Sequence, residues 1–310
     1  MRSDHPGPGA PIAASRVVVN DIELHVREAG AGPLVVLCHG FPQTSSAWTS
    51  QIRALADAGF RVLAPDMRGY GASSRPTDLD AYNVEVISGD LLGLLDLADE
   101  QEAIFVGHDL GATMIWHLAR AHPTRVRALV ALSVPFSPPP PIPPTQALRR
   151  LLGEDHYLLF FQEPDAPEQA LLRDVRRTLL TEGGWTRAWA AGAEVPERPA
   201  WLSEHDLLST IETFTRTGFA GGLAYYRNLD RNWELSQRLA ARPVRKPALF
   251  ISGANDIVRT FAPVEPMRAW VEDLRVATIP EAGHFVHQQH PEQVDQLLVD
   301  FCRKAARSRR

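Results

Sequence analysis

The sequence predicts an α/β protein with a mainly parallel, doubly wound β-sheet that is interrupted by an inserted helical lid. Short, strongly apolar, β-branched runs alternate with helical patterns along the chain, as buried parallel strands and their covering helices do. The alternation stops at a run of prolines, and helical periodicity with little strand pattern follows. Strand and helix then alternate again to the end, so one insertion divides a single sheet.

Composition fits a large globular protein that acts on small molecules. The chain has 310 residues, 45% of them hydrophobic, which is enough for one large core or for a core with an inserted piece. The formal net charge of -5 provides no basic field, so we expect no nucleic-acid partner. The basic run from Arg303 to Arg310 is read as a short terminal tail. Both a monomer and a homodimer remain compatible with the sequence.

Targeting signals are not evident. The N-terminal MRSDHPGPGAPIAASR lacks the apolar stretch of a secretory signal, and no run approaches the roughly 20 apolar residues of a membrane span. The two cysteines, Cys38 and Cys302, are too few for a disulfide framework and are typical of a reducing compartment. We therefore expect a cytoplasmic protein with no membrane partner and two buried thiols.

Eight runs are predicted as strands. Asn20-Asp21 separates the first two as a turn pair, so we expect these to form an antiparallel hairpin. The other six are short and apolar, and several are bounded by Gly or Pro, as strands covered on both faces are. The predicted strands are Arg16–Val19, Glu23–Glu28, Leu34–Cys38, Arg61–Ala64, Ile104–Val106, Ala128–Leu132, Ala248–Ser252 and Arg275–Ile279.

Helical patterns fill the intervals and dominate the insertion. Examples are Val84–Leu97, Gly111–Ala121 and Pro291–Cys302. From Ser137 to Pro144 the chain is too rich in proline for helix or sheet and should run extended, whereas helical periodicity follows as far as about Ala241. We therefore predict a core in two parts, 1–136 and 243–310, with a helical cap at 137–242. The alternative is a proline-rich loop within one continuous domain.

The most informative chemical motif is Gly107-His108-Asp109-Leu110-Gly111, which lies between a predicted strand and a predicted helix. It resembles the nucleophile elbow of the α/β-hydrolase fold, where small residues flank a strained turn and the middle side chain projects into a cleft. The middle residue here is Asp109. The alternative is an ordinary turn in which Asp109 caps the following helix.

A second motif, His39-Gly40-Phe41-Pro42, follows the strand Leu34–Cys38. From this position the fold supplies one backbone N–H to an oxyanion hole, and the residue after the nucleophile supplies the other. The predicted donors are therefore Phe41 and Leu110. The Phe41-Pro42 bond is a candidate for the cis form that tight turns use, and His39 is read as a hydrogen-bonded structural residue.

Two further residues complete a relay in the chain order nucleophile, acid, histidine. Asp256 follows the strand Ala248–Ser252, and His284 follows the last predicted strand after Gly283. The carboxyl ends of parallel strands lie at one edge of a sheet, which is where ligands bind in open α/β sheets. We therefore predict Asp109 as the nucleophile, His284 as the base and Asp256 as the partner that orients it.

These motifs, together with Arg68-Gly69-Tyr70-Gly71-Ala72-Ser73, resemble the soluble epoxide hydrolases from about Val17 to Phe301. The insertion adds His156–Pro164 and Tyr225–Trp233, which resemble the two lid tyrosine motifs of that family. The resemblance implies that Tyr157 and Tyr226 polarise the epoxide oxygen, whereas Tyr225 packs elsewhere.

The same resemblance implies that an epoxide and water give a vicinal diol through an aspartyl ester, with no cofactor and no metal. The sequence departs from the family at one position, because Leu110 stands where tryptophan is frequent. The backbone N–H of that residue is unaffected by the difference. The side chain does differ, so the sequence does not predict the shape of the substrate pocket.

Two other functions stay open. Haloalkane and haloacid dehalogenases use the same aspartyl ester, and His39 to Thr44 resembles some fluoroacetate dehalogenases. A leaving halide needs N–H donors such as Trp or Asn, and a haloacid carboxylate needs Arg, neither of which Leu110 provides. A non-enzymatic ligand receptor is the other alternative, but such proteins typically lose part of the relay, and here every member is present.

Overall fold

The computed structural model describes residue 9 and residues 11–307. Residues 1–8 and residue 10 of the predicted first core part, and residues 308–310 of the basic run, lie outside the described residues. The eight strands are β1 Ala13–Val19, β2 Ile22–Ala29, β3 Leu34–Cys38, β4 Arg61–Pro65, β5 Ala103–His108, β6 Val126–Leu132, β7 Ala248–Gly253 and β8 Leu274–Ile279. All eight predicted strands are confirmed, with ends that differ by up to three residues.

The strands form one sheet in the order β1-β2-β4-β3-β5-β6-β7-β8. β1 pairs with β2, and β2 with β4, in antiparallel fashion, whereas every other neighbouring pair is parallel. Asn20 and Asp21 both have positive φ, as the predicted hairpin turn requires. Every residue of β3, β5 and β7 is buried, because helices cover both faces of the parallel part. The predicted mainly parallel α/β fold is therefore confirmed.

Helices and short 3-10 turns connect the strands. The helices are α1 Thr49–Asp57, α2 Val84–Leu97, α3 Leu110–Ala121, α4 Pro144–Leu152, α5 Tyr157–Phe160, α6 Ala166–Arg173, α7 Val175–Leu180, α8 Arg187–Ala191, α9 Glu204–Thr217, α10 Ala220–Arg227, α11 Leu229–Ser236, α12 Val286–Gln289 and α13 Pro291–Arg307. The 3-10 turns are Ser45–Trp48, Leu79–Tyr82, Pro123–Arg125, Gln237–Leu239, Ile257–Thr260 and Glu265–Ala269. In the described part of the chain, no helix is long and apolar enough to cross a membrane.

The last helix is longer than predicted. α13 continues past Cys302 to Arg307, so the prediction that the basic run is only a tail was wrong for its first five residues. Ala305 is buried four residues after Phe301 and extends the apolar face of the helix, while the basic side chains face outwards. Cys38 and Cys302 are both free and buried, as predicted.

A helical insertion separates β6 from β7. It contains α4 to α11, and the proline-rich segment before it has no regular structure up to Pro143. α4 begins one residue inside the predicted linker, at Pro144, because the first turn of a helix accepts proline. Phe161 and Phe219 of the insertion pack edge-on against Phe41 of the sheet domain. The inserted helices are confirmed, whereas the domain boundaries at 137 and 242 remain our proposal.

Candidate active site

Asp109 forms the turn between β5 and α3. Its φ of 53° and ψ of -119° lie outside the regions that L residues ordinarily adopt, so the turn is strained. The carboxylate makes no capping bond to α3. Its Oδ1 instead accepts a hydrogen bond of 2.9 Å from the N–H of Phe41. The side chain is therefore directed to the loop after β3, as the elbow interpretation requires, and does not serve as a helix cap.

Glycines make this turn possible. A Cβ on Gly111 would lie 2.1 Å from the carbonyl oxygen of Cys38, and one on Gly40 would lie 2.4 Å from Oδ1 of Asp109. A Cβ on Gly107 would lie 2.5 Å from the backbone of Gly111. All three separations are well inside van der Waals contact. The elbow and the loop after β3 thus approach each other more closely than any side chain would allow.

The structure places the two predicted oxyanion donors differently. The N–H of Phe41 already points at Asp109, and the Phe41-Pro42 peptide bond is cis, as predicted. Leu110 is the first residue of α3, so its N–H has no partner within the helix. One donor therefore contacts the carboxylate in the structure, and the role of Leu110 remains a prediction.

His284 lies between two carboxylates. Its Nδ1 is 3.0 Å from Oδ1 of Asp256, and its Nε2 is 3.5 Å from Oδ2 of Asp109. Asp256 is further fixed because its Oδ1 accepts the N–H of Val258 at 2.9 Å. The structure thus brings together three residues that are widely separated in sequence, in the order acid, histidine, nucleophile.

Burial and charge act in opposite directions on the pKa values of this group. Burial alone would lower the pKa of His284, but its hydrogen bonds to Asp109 and Asp256, and their charges, raise it to about 10. Burial would likewise raise the pKa of Asp109, yet contact with His284 and the N–H of Phe41 hold it below its usual value. Asp256 behaves in the same way. The contacts on both sides of the ring thus favour the state in which an imidazolium lies between two carboxylates.

Two tyrosines of the insertion share an aromatic cluster with the loop after β3. Tyr157 begins α5 and Tyr226 lies in α10, with ring centroids 6.3 Å apart and planes at 81°. Burial raises the pKa of both phenols, and the charge of Asp109 raises it further. Neither hydroxyl bonds to another residue among those described. Tyr225 differs, because its hydroxyl donates to the carbonyl of Arg68 at 2.9 Å, in keeping with a packing role.

Comparison with known proteins places the chain in a family. Residues 33–291 match the family model of the α/β hydrolase fold. Epoxide hydrolase A of Mycobacterium tuberculosis is 42% identical over 316 residues, which cover 94% of this chain and 98% of that protein. This chain belongs to the epoxide hydrolase family.

Other members of the epoxide hydrolase family are similar over most of this chain. The crystal structure of Epoxide Hydrolase A from Mycobacterium thermoresistibile has a TM-score of 0.90 and 40% sequence identity, covering 94% of this chain and 98% of that one. Bifunctional epoxide hydrolase 2 of Sus scrofa is 34% identical over 302 residues, which are 93% of this chain but 54% of the pig protein. The resemblance expected from the motifs is therefore confirmed.

The two motif histidines of this epoxide hydrolase family member serve as hydrogen-bonding residues. Nδ1 of His39 donates to the carbonyl of Gly40, and its Nε2 accepts the N–H of Met67 at 2.9 Å. Nε2 of His108 lies 2.9 Å from the main-chain carbonyl of His284. Both rings are buried, and each has a nitrogen that is already engaged with the main chain.

Sequence reasoning missed two residues that support this group. Gln43 contacts His108, and Ser133 donates its hydroxyl to the carbonyl of His284 at 2.6 Å. Ser133 directly follows β6, so its position at the carboxyl edge of the sheet could have marked it. Gln43 adjoins the His39–Pro42 motif, but its residue type indicates no particular chemistry. Contacts to main-chain atoms leave no signature in the sequence.

Proposed function

We propose that this chain is an epoxide hydrolase that converts an epoxide and water into a vicinal diol through an ester of Asp109. One observation supports this most strongly. A strained, buried carboxylate lies beside an imidazole–carboxylate pair, while two buried phenols of the same aromatic cluster have no protein partner in the described chain. The named relatives are epoxide hydrolases over the same length of chain.

Ring opening comes first. Asp109 is ionised at neutral pH because its pKa is below the usual value, so it needs no base in order to attack. Oδ1 is held by the N–H of Phe41, which leaves Oδ2 to form the bond to an epoxide carbon. The carbon–oxygen bond breaks, and the departing oxygen takes a proton from Tyr157 or Tyr226. Both phenols stay protonated because their pKa values are raised.

Ester hydrolysis follows. The ester is uncharged, so His284 loses one of the two carboxylates that raise its pKa. The imidazolium then releases its proton, which restores the tyrosinate left by ring opening to a phenol, and the neutral ring of His284 becomes able to accept a proton. It then takes a proton from water, which attacks the ester carbonyl. The N–H groups of Phe41 and Leu110 stabilise the oxyanion, and Asp256 stabilises the imidazolium that forms. Collapse breaks the ester bond, the departing diol oxygen takes the remaining proton of the attacking water, and Asp109 is restored as a carboxylate, so the cycle consumes only epoxide and water.

The surroundings of Asp109 favour an epoxide over a halide. Trp185 packs against Phe41 and Tyr157, but its Nε1 donates to the carbonyl of Thr178 at 3.1 Å and is not free to bind halide. The charged side chain that acts on Asp109 is His284, and no arginine among the described residues acts on this carboxylate as a haloacid site would need. A ligand receptor that performs no chemistry would not need Asp109, Asp256 and His284 together, and this chain has all three.

A single turnover in heavy-oxygen water tests the proposal. With an accepted aromatic epoxide in less than enzyme concentration, we expect a light diol and one heavy oxygen in Asp109, read by mass spectrometry of the peptide. The new oxygen of the first diol comes from the carboxylate, and water restores it. Asp109→Ala should form no diol and take up no label. A heavy diol from the first turnover would mean direct attack by water, and halide release from a haloacid without any diol would favour a dehalogenase.

A further inference from the structure

The main-chain carbonyl of His284 is held by two buried side chains. Nε2 of His108 lies 2.9 Å from this oxygen, and Oγ of Ser133 lies 2.6 Å from it. A carbonyl can only accept, so both side chains are donors. Neither His108 nor Ser133 has any exposed surface, and neither is placed to touch a substrate. Any effect of these contacts on catalysis must therefore pass through His284 or, for Ser133, also through Asp256, whose pKa its hydroxyl helps to lower.

The other side of the His108 ring reaches the loop after β3, which carries the predicted oxyanion donor Phe41. Nδ1 lies 2.9 Å from Oε1 of the Gln43 side chain. Gln43 closes the turn that carries Phe41, because its N–H donates to the carbonyl of Gly40 at 3.0 Å. Its Nε2 also donates to Oε1 of Gln288 at 2.6 Å. One buried ring thus connects the loop of the oxyanion donor with the loop of the base.

This connection matters most for the second chemical step. Attack by Asp109 requires no base, whereas hydrolysis requires His284 to hold a water at the ester carbonyl and Phe41 to hold the oxyanion. A displacement of about 1 Å from a productive geometry can cost about a hundredfold in rate. His284 lies in the loop between β8 and α12, where side-chain contacts must fix the main chain.

We infer that His108 is a positioning residue for ester hydrolysis, which it serves through the carbonyl of His284 and the side chain of Gln43. The inference rests on the proposed function, in which His284 is the base of the second step. Ser133 is the second donor of the same arrangement.

Two substitutions separate the steps. His108→Phe keeps a ring but removes both polar contacts, and His108→Gln keeps an N–H donor. Rapid-quench mass spectrometry with an accepted epoxide measures ester formation and ester breakdown separately. For His108→Phe we expect breakdown to slow at least about tenfold while formation changes less than about threefold, so that ester accumulates and kcat and KM fall together. His108→Gln should recover much of the lost rate of ester breakdown. If His108 served only to fill space, this variant would not recover the rate.

Matched variants make the test decisive. His117 of α3 is also a buried histidine, but its Nδ1 contacts Oγ of Ser236 and neither His284 nor Gln43, so His117→Phe should not slow breakdown selectively. Ser133→Ala removes the second donor and should slow breakdown selectively, and it decides the matter if His108→Phe does not fold. Equal slowing of both steps, or unchanged breakdown with Ser133→Ala, would overturn the inference. Failure of the proposed function would show separately, as wild-type protein that never carries an ester on Asp109.

Discussion

At the scale of single residues, Tyr157 and Tyr226 are proposed to share one role, and this proposal can be tested. In the proposed mechanism each can protonate the departing oxygen, because neither hydroxyl has a partner in the described chain. We expect Tyr157→Phe or Tyr226→Phe to slow ester formation about tenfold, and the double change to slow it by a hundredfold or more, on the order of the general-acid contribution. Single-turnover rates of ester formation measure the effect.

Tyr225 is the matched control for that prediction. It lies beside Tyr226 on α10, but its hydroxyl is already used by the carbonyl of Arg68. Tyr225→Phe should therefore leave ester formation within about threefold of wild type. If the double variant kept the wild-type rate of ring opening, the two tyrosines would be pocket walls only.

The positions of these side chains were predictable to different degrees. Asp109, Asp256 and His284 each follow a parallel strand, and such strands end at one edge of a sheet, so their meeting could be anticipated. The pKa of about 10 for His284 could not be anticipated, because it depends on carboxylates that lie 3.0 and 3.5 Å from the two ring nitrogens. The order of residues in the sequence does not give the distances between their side chains in the folded protein.

At the scale of elements, the elbow between β5 and α3 depends on Gly111. A Cβ there would lie 2.1 Å from the carbonyl oxygen of Cys38 in β3, and backbone atoms on both sides leave little room to move. We expect Gly111→Ala to lower the free energy of unfolding by about 3 kcal/mol and to abolish ester formation, because overpacking would displace Asp109. Urea unfolding and single-turnover assays measure the two effects.

Gly184→Ala provides the comparison. Its Cβ would meet only Cγ2 of Thr181, at the ordinary contact distance of 3.7 Å. We expect this change to alter stability by less than about 0.5 kcal/mol, as at surface sites without special features. Wild-type stability and activity in Gly111→Ala would show that the elbow can relax, contrary to the packing described above.

Element ends were less predictable than element types. Periodicity indicated the strands and long helices, yet α13 runs five residues past its predicted end because Ala305 continues its buried face. Within the insertion, α5 has only four residues, too few for a helix that is stable alone. Its position is set by packing, such as the contacts of Tyr157 with Phe161 and Trp185. Motif resemblance found Tyr157 where propensity could not.

At the scale of the whole molecule, the buried charges should make stability depend on pH. The pKa of His284 rises from 6.5 to about 10 on folding, so its stabilising effect is complete below pH 6.5 and is lost between pH 6.5 and 10. The pKa values of Asp109 and Asp256 are lowered instead, so their contribution is present above pH 3.8 and is lost as pH falls. The contribution of this group is therefore largest between about pH 4 and 6.5.

His284→Gln isolates this contribution. We expect the Tm of wild type to fall more steeply than that of His284→Gln between pH 6.5 and 10, because the variant has no proton to lose at this position. Thermal unfolding at several pH values in one buffer system measures the difference, and other groups titrate in both proteins alike. Parallel curves would mean that His284 is not held as an imidazolium in the resting protein.

The place of the helical insertion has a consequence for synthesis of the chain. β6 and β7 are neighbours in the sheet, yet all of α4 to α11 must leave the ribosome before β7 emerges. Until then β6 is an open edge, available to wrong partners. The nascent chain already holds Asp109 and both tyrosines, but not Asp256 or His284. In the proposed mechanism, a chain that folded this early could therefore react once with an epoxide and remain alkylated. Addition of β7 and β8 to the sheet brings in the residues that hydrolyse the ester, and with them repeated turnover.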